Sequence, residues 1–246
     1  MRKLTTILIL TLVVSITYCF GQNRFIIKEY VKQGGFPNLT KNDVKINRDN
    51  IFEDSLHIVS KSCSGEWGGT IKFKNKETGI EYSAASTCPV AVNKLNEKYY
   101  ITNTLAHLSG SSEILEICNP DLMSVFELPK PRRERGKIIR YVGDDESNST
   151  KGTIQLVDSI GVLTLASFLY NEQLYHIVTD FKKTFLTKIE NNKFVTIDTV
   201  SEKSLWTYNP AVFVAKSGHL LVWFENQEAE GYLDIFENQI TVIRKR

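Results

Sequence analysis

A unit of about 40 residues recurs along this chain, and in each copy short runs alternate apolar with polar side chains. One strand-like segment reads SLHIVSK at residues 55–61, KYYITNTL at 98–105, QLYHIVTD at 173–180 and HLLVWFE at 219–225. A predicted hairpin follows each segment, with a turn at Asn75, at Asn119, at Asn191 and Asn192, or at Asn238. Asparagine tolerates positive φ and suits such turns. Three copies also have a strand upstream, so the unit is four short antiparallel strands.

A four-stranded unit of this length is typical of a propeller blade, because one blade cannot bury both faces alone and several blades packed radially can. The middle gap between turns, from Asn119 to Asn191, is longer than the others. Residues 129–160 fill it and predict a further strand pair in GKIIRYV and GTIQLVD, as a reduced fifth blade or as a long insertion. We therefore expect an all-β fold, a β-propeller of four-stranded antiparallel blades, with five blades favoured over four. A β-sandwich is the alternative.

Over residues 55–243 the repeat length and the strand pattern resemble those of secreted β-propeller proteins of Gram-negative bacteria. This resemblance is architectural and carries no catalytic motif. Propellers serve as enzymes, binding modules and scaffolds alike, so the resemblance implies a fold and leaves the function open.

The first 21 residues have the character of a secretory signal peptide. Arg2 and Lys3 precede an uncharged apolar run that ends near Gly21 and is too short to span a bilayer comfortably. A lipoprotein signal with Cys19 as the lipidated residue is the alternative, and the bulky Tyr18 argues against it. We expect a secreted or periplasmic protein with an N-terminal lead-in at residues 22–54 that completes a sheet, followed by the propeller domain at 55–246.

The net charge and the hydropathy of the chain limit the classes of partner that it is expected to bind. The chain has 30 Lys and Arg against 28 Asp and Glu, and removal of Arg2 and Lys3 leaves 28 against 28. A formally neutral mature chain argues against nucleic-acid binding. Because no second apolar run reaches membrane-spanning length, we expect no membrane span, and we expect a monomer.

Three cysteines remain after cleavage, and a disulfide persists outside the cytoplasm. Cys63 and Cys88 fall in loops on the same predicted face, whereas Cys118 falls in a turn on the opposite face. We predict a disulfide between Cys63 and Cys88 with Cys118 free; three reduced, buried cysteines are the alternative. No CxxC or His-rich spacing occurs, so neither a structural zinc site nor another cofactor is expected.

Alternate connections in such blades lie on opposite faces, so all the long loops share one face, where function concentrates. Glu66 and Trp67, flanked by glycines, suit stacking on a sugar ring with hydrogen bonds to its hydroxyl groups, unless Trp67 is a wedge between blades. His107 is a candidate ligand-binding residue or general base, with a structural corner residue as the alternative. The remaining candidates for binding on this face are Asp180, Trp206, Tyr208 and Glu225.

These features predict a secreted, non-catalytic module that binds a glycan or a protein on the long-loop face. The alternative is a glycoside hydrolase or a related enzyme that uses two carboxylates on that face. A basic run at residues 130–137 suits an anionic polymer, but the acids at 144–146 favour a solvated loop of mixed charge. His57 and His176 occupy matching strand positions, which indicates structural roles.

Overall fold

The structure is a computed structural model that describes residues 25–32, 50–128, 130–215 and 217–245. The predicted signal peptide and most of the lead-in lie outside these residues. The strands, in chain order, are β1 (Ile26–Lys32), β2 (Asn50–Glu53), β3 (His57–Cys63), β4 (Gly69–Asn75), β5 (Glu81–Ala85), β6 (Pro89–Leu95), β7 (Lys98–Leu105), β8 (Ser111–Ile117), β9 (Ser124–Val125), β10 (Arg132–Glu134), β11 (Lys137–Ile139), β12 (Ile154–Ile160), β13 (Leu163–Tyr170), β14 (Gln173–Thr179), β15 (Thr184–Glu190), β16 (Lys193–Ser201), β17 (Val212–Val214), β18 (Leu220–Glu225), β19 (Glu230–Phe236) and β20 (Gln239–Lys245). Two single-turn 3₁₀ helices lie at Gly65–Trp67 and Pro120–Leu122.

Four antiparallel meanders form the main sheets. Sheet I contains β2 to β5 with β9 on its edge, and sheet II contains β6, β7, β8 and β12. Sheet III contains β13 to β16, and sheet IV contains β17 to β20 with β1 added in parallel to β20. A separate hairpin joins β10 to β11. The predicted all-β class with antiparallel sheets is confirmed.

Tight turns with positive φ join successive strands at one end of each meander. Asn191 and Asn192 connect β15 to β16 at φ values of 51° and 60°, and Asn96 and Glu97 connect β6 to β7 at 49° and 60°. Two consecutive residues at positive φ match the right-handed twist of a hairpin, and asparagine adopts this conformation at low cost. The tight turn predicted at Asn191 and Asn192 is therefore confirmed.

Two predicted pairings in the middle of the chain are wrong. Strand β8 does not form a hairpin through Asn119, because its partner is β12, which lies beyond an insertion at residues 118–153. Asn119 instead caps the short helix by accepting a hydrogen bond from the N–H of Asp121. The pair expected between GKIIRYV and GTIQLVD is also wrong, since β11 pairs with β10. Residues 129–160 therefore form no additional four-stranded unit, and the described residues contain four main sheets.

Two large apolar clusters form most of the core, and a polar layer separates them; a third, smaller cluster on sheet IV contains Leu221, Tyr232 and Ile243. The first cluster lies between sheets I and II around Ile71, Phe73 and Ile101. The second joins sheets III and IV around Leu165, Ile177, Phe224 and Leu233. Burial of large apolar side chains of this kind is the main source of stability.

Between sheets II and III the contacts are hydroxyl-rich. Thr102 and Ser167 lie 2.7 Å apart through their Oγ atoms, and Ser112 and Thr164 lie 2.5 Å apart. The amide of Asn93 also donates to Ser167 Oγ at 2.7 Å. Because these polar groups are buried and paired, the sheets meet without an orphaned hydroxyl at these positions.

The longer connections of all four meanders gather at one edge of the molecule, here called the long-loop edge. It comprises the connections within the sheets at residues 64–68, 106–110, 180–183 and 226–229, together with the connections between sheets at 86–88, 161–162 and 202–211. Backbone hydrogen bonds tie neighbouring loops together, from Ser86 N–H to the Gly69 carbonyl, from Gly161 to Gly110 and from Glu225 to Trp206. Most of the candidate residues lie on these loops.

Candidate functional site

The loop between β3 and β4 is anchored at its base by the disulfide that the sequence predicts. Cys63 and Cys88 are bonded, with their Cα atoms 4.4 Å apart, and Cys118 is free and exposed. A Cβ on Gly69 would lie 2.6 Å from the carbonyl oxygen of Ser86, so only glycine permits this approach of the two loops. The loop that carries Glu66 and Trp67 is therefore fixed at its ends by a disulfide bond and by close packing.

Trp67 projects from this base into solvent. Its side chain is 62% exposed, so it does not pack as a wedge between two sheets. Its backbone instead meets the insertion, because a Cβ on Gly143 would lie 2.7 Å from the carbonyl oxygen of Trp67. An exposed indole ring on a backbone packed in this way provides a flat apolar surface for a ligand.

Glu66 and His107, which lie 41 positions apart in the chain, form a pair at the surface. His107 Nδ1 lies 3.4 Å from Glu66 Oε2, and both side chains are about half exposed. The packing of sheet I against sheet II brings their loops together. A carboxylate beside an imidazole offers both acceptors and a donor to a polar ligand.

The loop that carries His107 also reaches the next sheet. Gly110 has a φ of 75°, and a Cβ there would lie 2.6 Å from the ring of Phe181. Leu108 in the same loop is 93% exposed. This loop therefore connects the Glu66–His107 pair to the loops of sheets III and IV.

Three aromatic rings continue the surface beyond Gly110. The Phe181 and Trp206 centroids are 5.9 Å apart at 72°, and those of Trp206 and Tyr208 are 5.1 Å apart at 76°, which are edge-to-face contacts. Tyr208 is the outermost ring and is 75% exposed. Phe181 and Trp206 are half-buried and support it.

Asp180 supports its loop rather than facing a ligand. Its Oδ1 accepts hydrogen bonds from the backbone N–H groups of Lys182 at 2.9 Å and Lys183 at 2.8 Å. Burial raises the pKa of this carboxyl, but the backbone donors outweigh it, so the pKa of Asp180 lies below its ordinary value. Glu225 contributes its backbone N–H to the carbonyl of Trp206 at 3.2 Å and so helps to hold the aromatic row.

The predicted site residues thus lie in two groups on the long-loop edge. Glu66, Trp67 and His107 lie on the loops of sheets I and II, whereas Asp180, Trp206, Tyr208 and Glu225 lie on those of sheets III and IV. Sequence reasoning missed Phe181 and Leu108, although Gly110 between predicted strands was a signal that another group approaches the backbone closely.

Glu146 is the third residue that sequence reasoning missed, and the expectation that it lies in a solvated loop is wrong. It is buried, at 7% exposure, and accepts hydrogen bonds from the hydroxyls of Ser62 at 2.5 Å, Ser64 at 2.6 Å and Thr70 at 2.5 Å. Burial raises the pKa of this carboxyl, and the three donors more than offset that effect and lower it below its ordinary value. Glu146 therefore fixes the insertion, including Gly143, against the loop of Trp67.

The basic run at residues 130–137 belongs to this insertion, which connects β8 to β12. Arg132 pairs with Asp144 at 3.0 Å, and Arg140 pairs with Asp145 at 2.8 Å. Asp144 therefore neutralises one cation of the run, and Asp145 neutralises Arg140, which follows it.

Within residues 25–32, 50–128, 130–215 and 217–245, no group of three or more His, Cys, Asp or Glu side chains is arranged to hold a metal ion. Over the same residues, none of the helices has the length and apolar character needed to cross a membrane. The chain matches no protein-family model and no curated protein.

Proposed function

We propose that this protein is a secreted, non-catalytic binding module that takes a carbohydrate ligand on the long-loop edge. The observation that carries the proposal is the pair of exposed aromatic side chains, Trp67, whose backbone packs against Gly143, and Tyr208, whose ring contacts Trp206. Sugar rings have apolar faces and polar rims, so aromatic faces flanked by hydrogen-bonding groups suit them.

Trp67 would form the first subsite. The indole face stacks on a sugar ring, while the adjacent Glu66 and His107 bind its hydroxyl groups. The disulfide and Gly69 keep this loop in place, so little conformational entropy is lost when a ligand binds.

Tyr208 would form a second subsite along the same edge. The row from Phe181 through Trp206 supports it, and the loop with Gly110 joins the two subsites. An extended oligosaccharide matches two separated aromatic platforms better than a monosaccharide does.

The scaffold in this proposal is a propeller-like array in which each of the four meander sheets is a blade. The repeated four-strand order and the packing of neighbouring sheets support this interpretation. The signal-like leader and the disulfide support export from the cytoplasm.

One acid of the site, Asp180, does not have the character of the general acid of a glycosidase. A glycosidase acid needs a raised pKa. Asp180, in contrast, has a lowered pKa and is engaged by its own backbone.

The test is a glycan-array screen of the mature protein, followed by titration calorimetry with the strongest oligosaccharide. We expect Trp67→Ala and Tyr208→Ala each to weaken binding by about tenfold or more, because a buried aromatic contact is worth on the order of 2 kcal/mol. Tyr30→Ala, a half-exposed tyrosine on β1, is the matched control and should bind as the parent protein does.

A parallel assay for release of reducing sugar separates binding from catalysis. Turnover of the bound glycan would contradict the non-catalytic proposal. Absence of any array signal, or equal binding by the Trp67 and Tyr30 variants, would contradict the carbohydrate site.

A further inference from the structure

A β-hairpin projects from the insertion and takes no part in the proposed carbohydrate site. Among the described residues, strands β10 and β11 pair only with each other, and their turn is formed by Arg135 and Gly136 at φ values of 49° and 78°. All residues from 130 to 138 are exposed. The hairpin therefore presents both of its faces to solvent.

Residues 130–142, here called the cationic arm, carry a concentrated positive charge. The segment contains six cations, Lys130, Arg132, Arg133, Arg135, Lys137 and Arg140, and one acid, Glu134. Arg132 and Arg140 are paired with Asp144 and Asp145. The other four cations make no ion pair with any residue that the structure describes. An anionic partner is the complement of this charge.

The same arm exposes apolar side chains, which distinguishes it from a simple polyanion site. Ile138 is 61% exposed and Val142 is 66% exposed, and Tyr141 beside Val142 is also exposed. Ile138 lies directly opposite Arg133 across the two strands. Contact with phosphate or sulfate groups alone uses cations, whereas the interface of an anionic bilayer accepts both cations and apolar groups.

The size of the arm also favours a membrane surface over a folded protein partner. Its two strands have three residues each. A standard protein interface buries roughly 800 Å² on each partner, which a ribbon this short does not provide alone. Attraction to a charged surface, in contrast, accumulates with each cation.

We propose that the cationic arm binds the surface of membranes that contain anionic lipids. Ile138 and Val142 enter the headgroup region, while Lys130, Arg133, Arg135 and Lys137 lie against lipid phosphates. The arm would hold the protein at a membrane surface without a membrane span. This inference does not depend on the carbohydrate site, which uses other residues.

The test is co-sedimentation of the full mature chain with phosphatidylcholine vesicles prepared with and without phosphatidylglycerol. We expect binding only to the anionic vesicles, and weaker binding as the salt concentration rises. Arg133→Ala with Arg135→Ala should lower the partition coefficient roughly 25-fold, since each cation near the surface contributes about fivefold. Ile138→Ser with Val142→Ser should also weaken binding while leaving the charge unchanged.

Lys74→Ala with Lys193→Ala is the control, because both lysines are exposed, lie on other strands and make no ion pair within the described part of the chain. It removes the same charge and should bind as the parent does. Because the arm lies outside the four sheets, all variants should keep the urea unfolding midpoint of the parent. Failure of the parent protein to bind anionic vesicles would overturn the proposal, and so would an equal loss of binding in the control. The proposal would also be overturned if Ile138→Ser with Val142→Ser left both heparin binding and vesicle binding unchanged.

Discussion

At the residue scale, His176 is a titratable group in the core that has no polar partner. It is fully buried in β14, and neither ring nitrogen has a hydrogen-bond partner among the described residues. Its ring makes an edge-to-face contact with Phe194, with 5.4 Å between the two ring centroids. Burial lowers the pKa of His176 from an ordinary value of 6.5 to about 3. Folding therefore keeps the imidazole neutral at pH values where the unfolded chain binds a proton.

This difference predicts a loss of stability on acidification. Above pH 6.5 the imidazole of His176 is mostly neutral in both the folded and the unfolded chain. Below pH 6.5 the unfolded chain takes up a proton that the folded chain does not. The free energy of unfolding therefore falls as the pH approaches 3. The slope reaches about 1.4 kcal/mol per pH unit. We expect His176→Leu to flatten the profile between pH 6.5 and 5, measured by urea unfolding followed by tryptophan fluorescence.

The control for this prediction is His219→Leu. His219 is partly exposed and lies 2.7 Å from Asp234, so the comparison separates the loss of a buried imidazole from the loss of an accessible one. The carboxyls with lowered pKa values, such as Glu146, titrate below this window. An unchanged slope in His176→Leu would show that the imidazole does not control the acid sensitivity.

At the element scale, the insertion depends on one buried carboxylate. Glu146→Ala removes the acceptor of three hydroxyl groups, of which Thr70 lies on a fully buried position of β4. We expect a loss of about 3 kcal/mol in the free energy of unfolding, since buried donors are left without partners. Hydrogen exchange should increase at residues 140–149 and in the loop of Trp67.

Asp145→Ala is the neighbouring control, because Asp145 is exposed and pairs only with Arg140 at the surface. Its cost should stay within about 0.5 kcal/mol, as for other exposed pairs. If the two variants lost equal stability, the hydroxyl contacts of Glu146 would not be what holds the insertion.

The sequence predicts the tight turns better than it predicts which strands pair with each other. The positive-φ pair at Asn191 and Asn192 is a local signal, because the conformational preference of asparagine acts within two residues. The partner of β8 is a non-local choice, and β12 follows only after residues 118–153. Pro120 and the cap formed by Asn119 end the extended run where a hairpin was expected.

Prediction of the candidate site from the sequence is limited in the same way, because its non-local contacts depend on packing. Glu66 and His107 were recognisable one by one from their glycine-rich loops, but their 3.4 Å approach depends on how sheets I and II pack. Phe181 lies between charged neighbours and has no periodic signal, so only the contact with Gly110 reveals its place in the aromatic row.

At the scale of the whole molecule, the described N-terminal segment connects two sheets. Phe25 immediately precedes β1, is buried, and packs edge-to-face on Phe168 at 6.1 Å and on Tyr175 at 4.8 Å, both in sheet III. Strand β1 itself extends sheet IV by pairing with β20. A residue that is distant in sequence thus belongs to the core shared by the last two sheets.

This position predicts that Phe25→Ala destabilises sheets III and IV together. The cost should be about 3 kcal/mol, since a large aromatic side chain is removed from a packed cluster. Tyr30→Ala in the same strand is half-exposed and should cost less than about 1 kcal/mol. Hydrogen exchange of Phe25→Ala should increase in β14, β18 and β20 before it increases in β4 and β7, because the hydroxyl-rich contacts between sheets II and III separate the two apolar clusters. Equal acceleration in all four sheets would indicate one cooperative core instead of two.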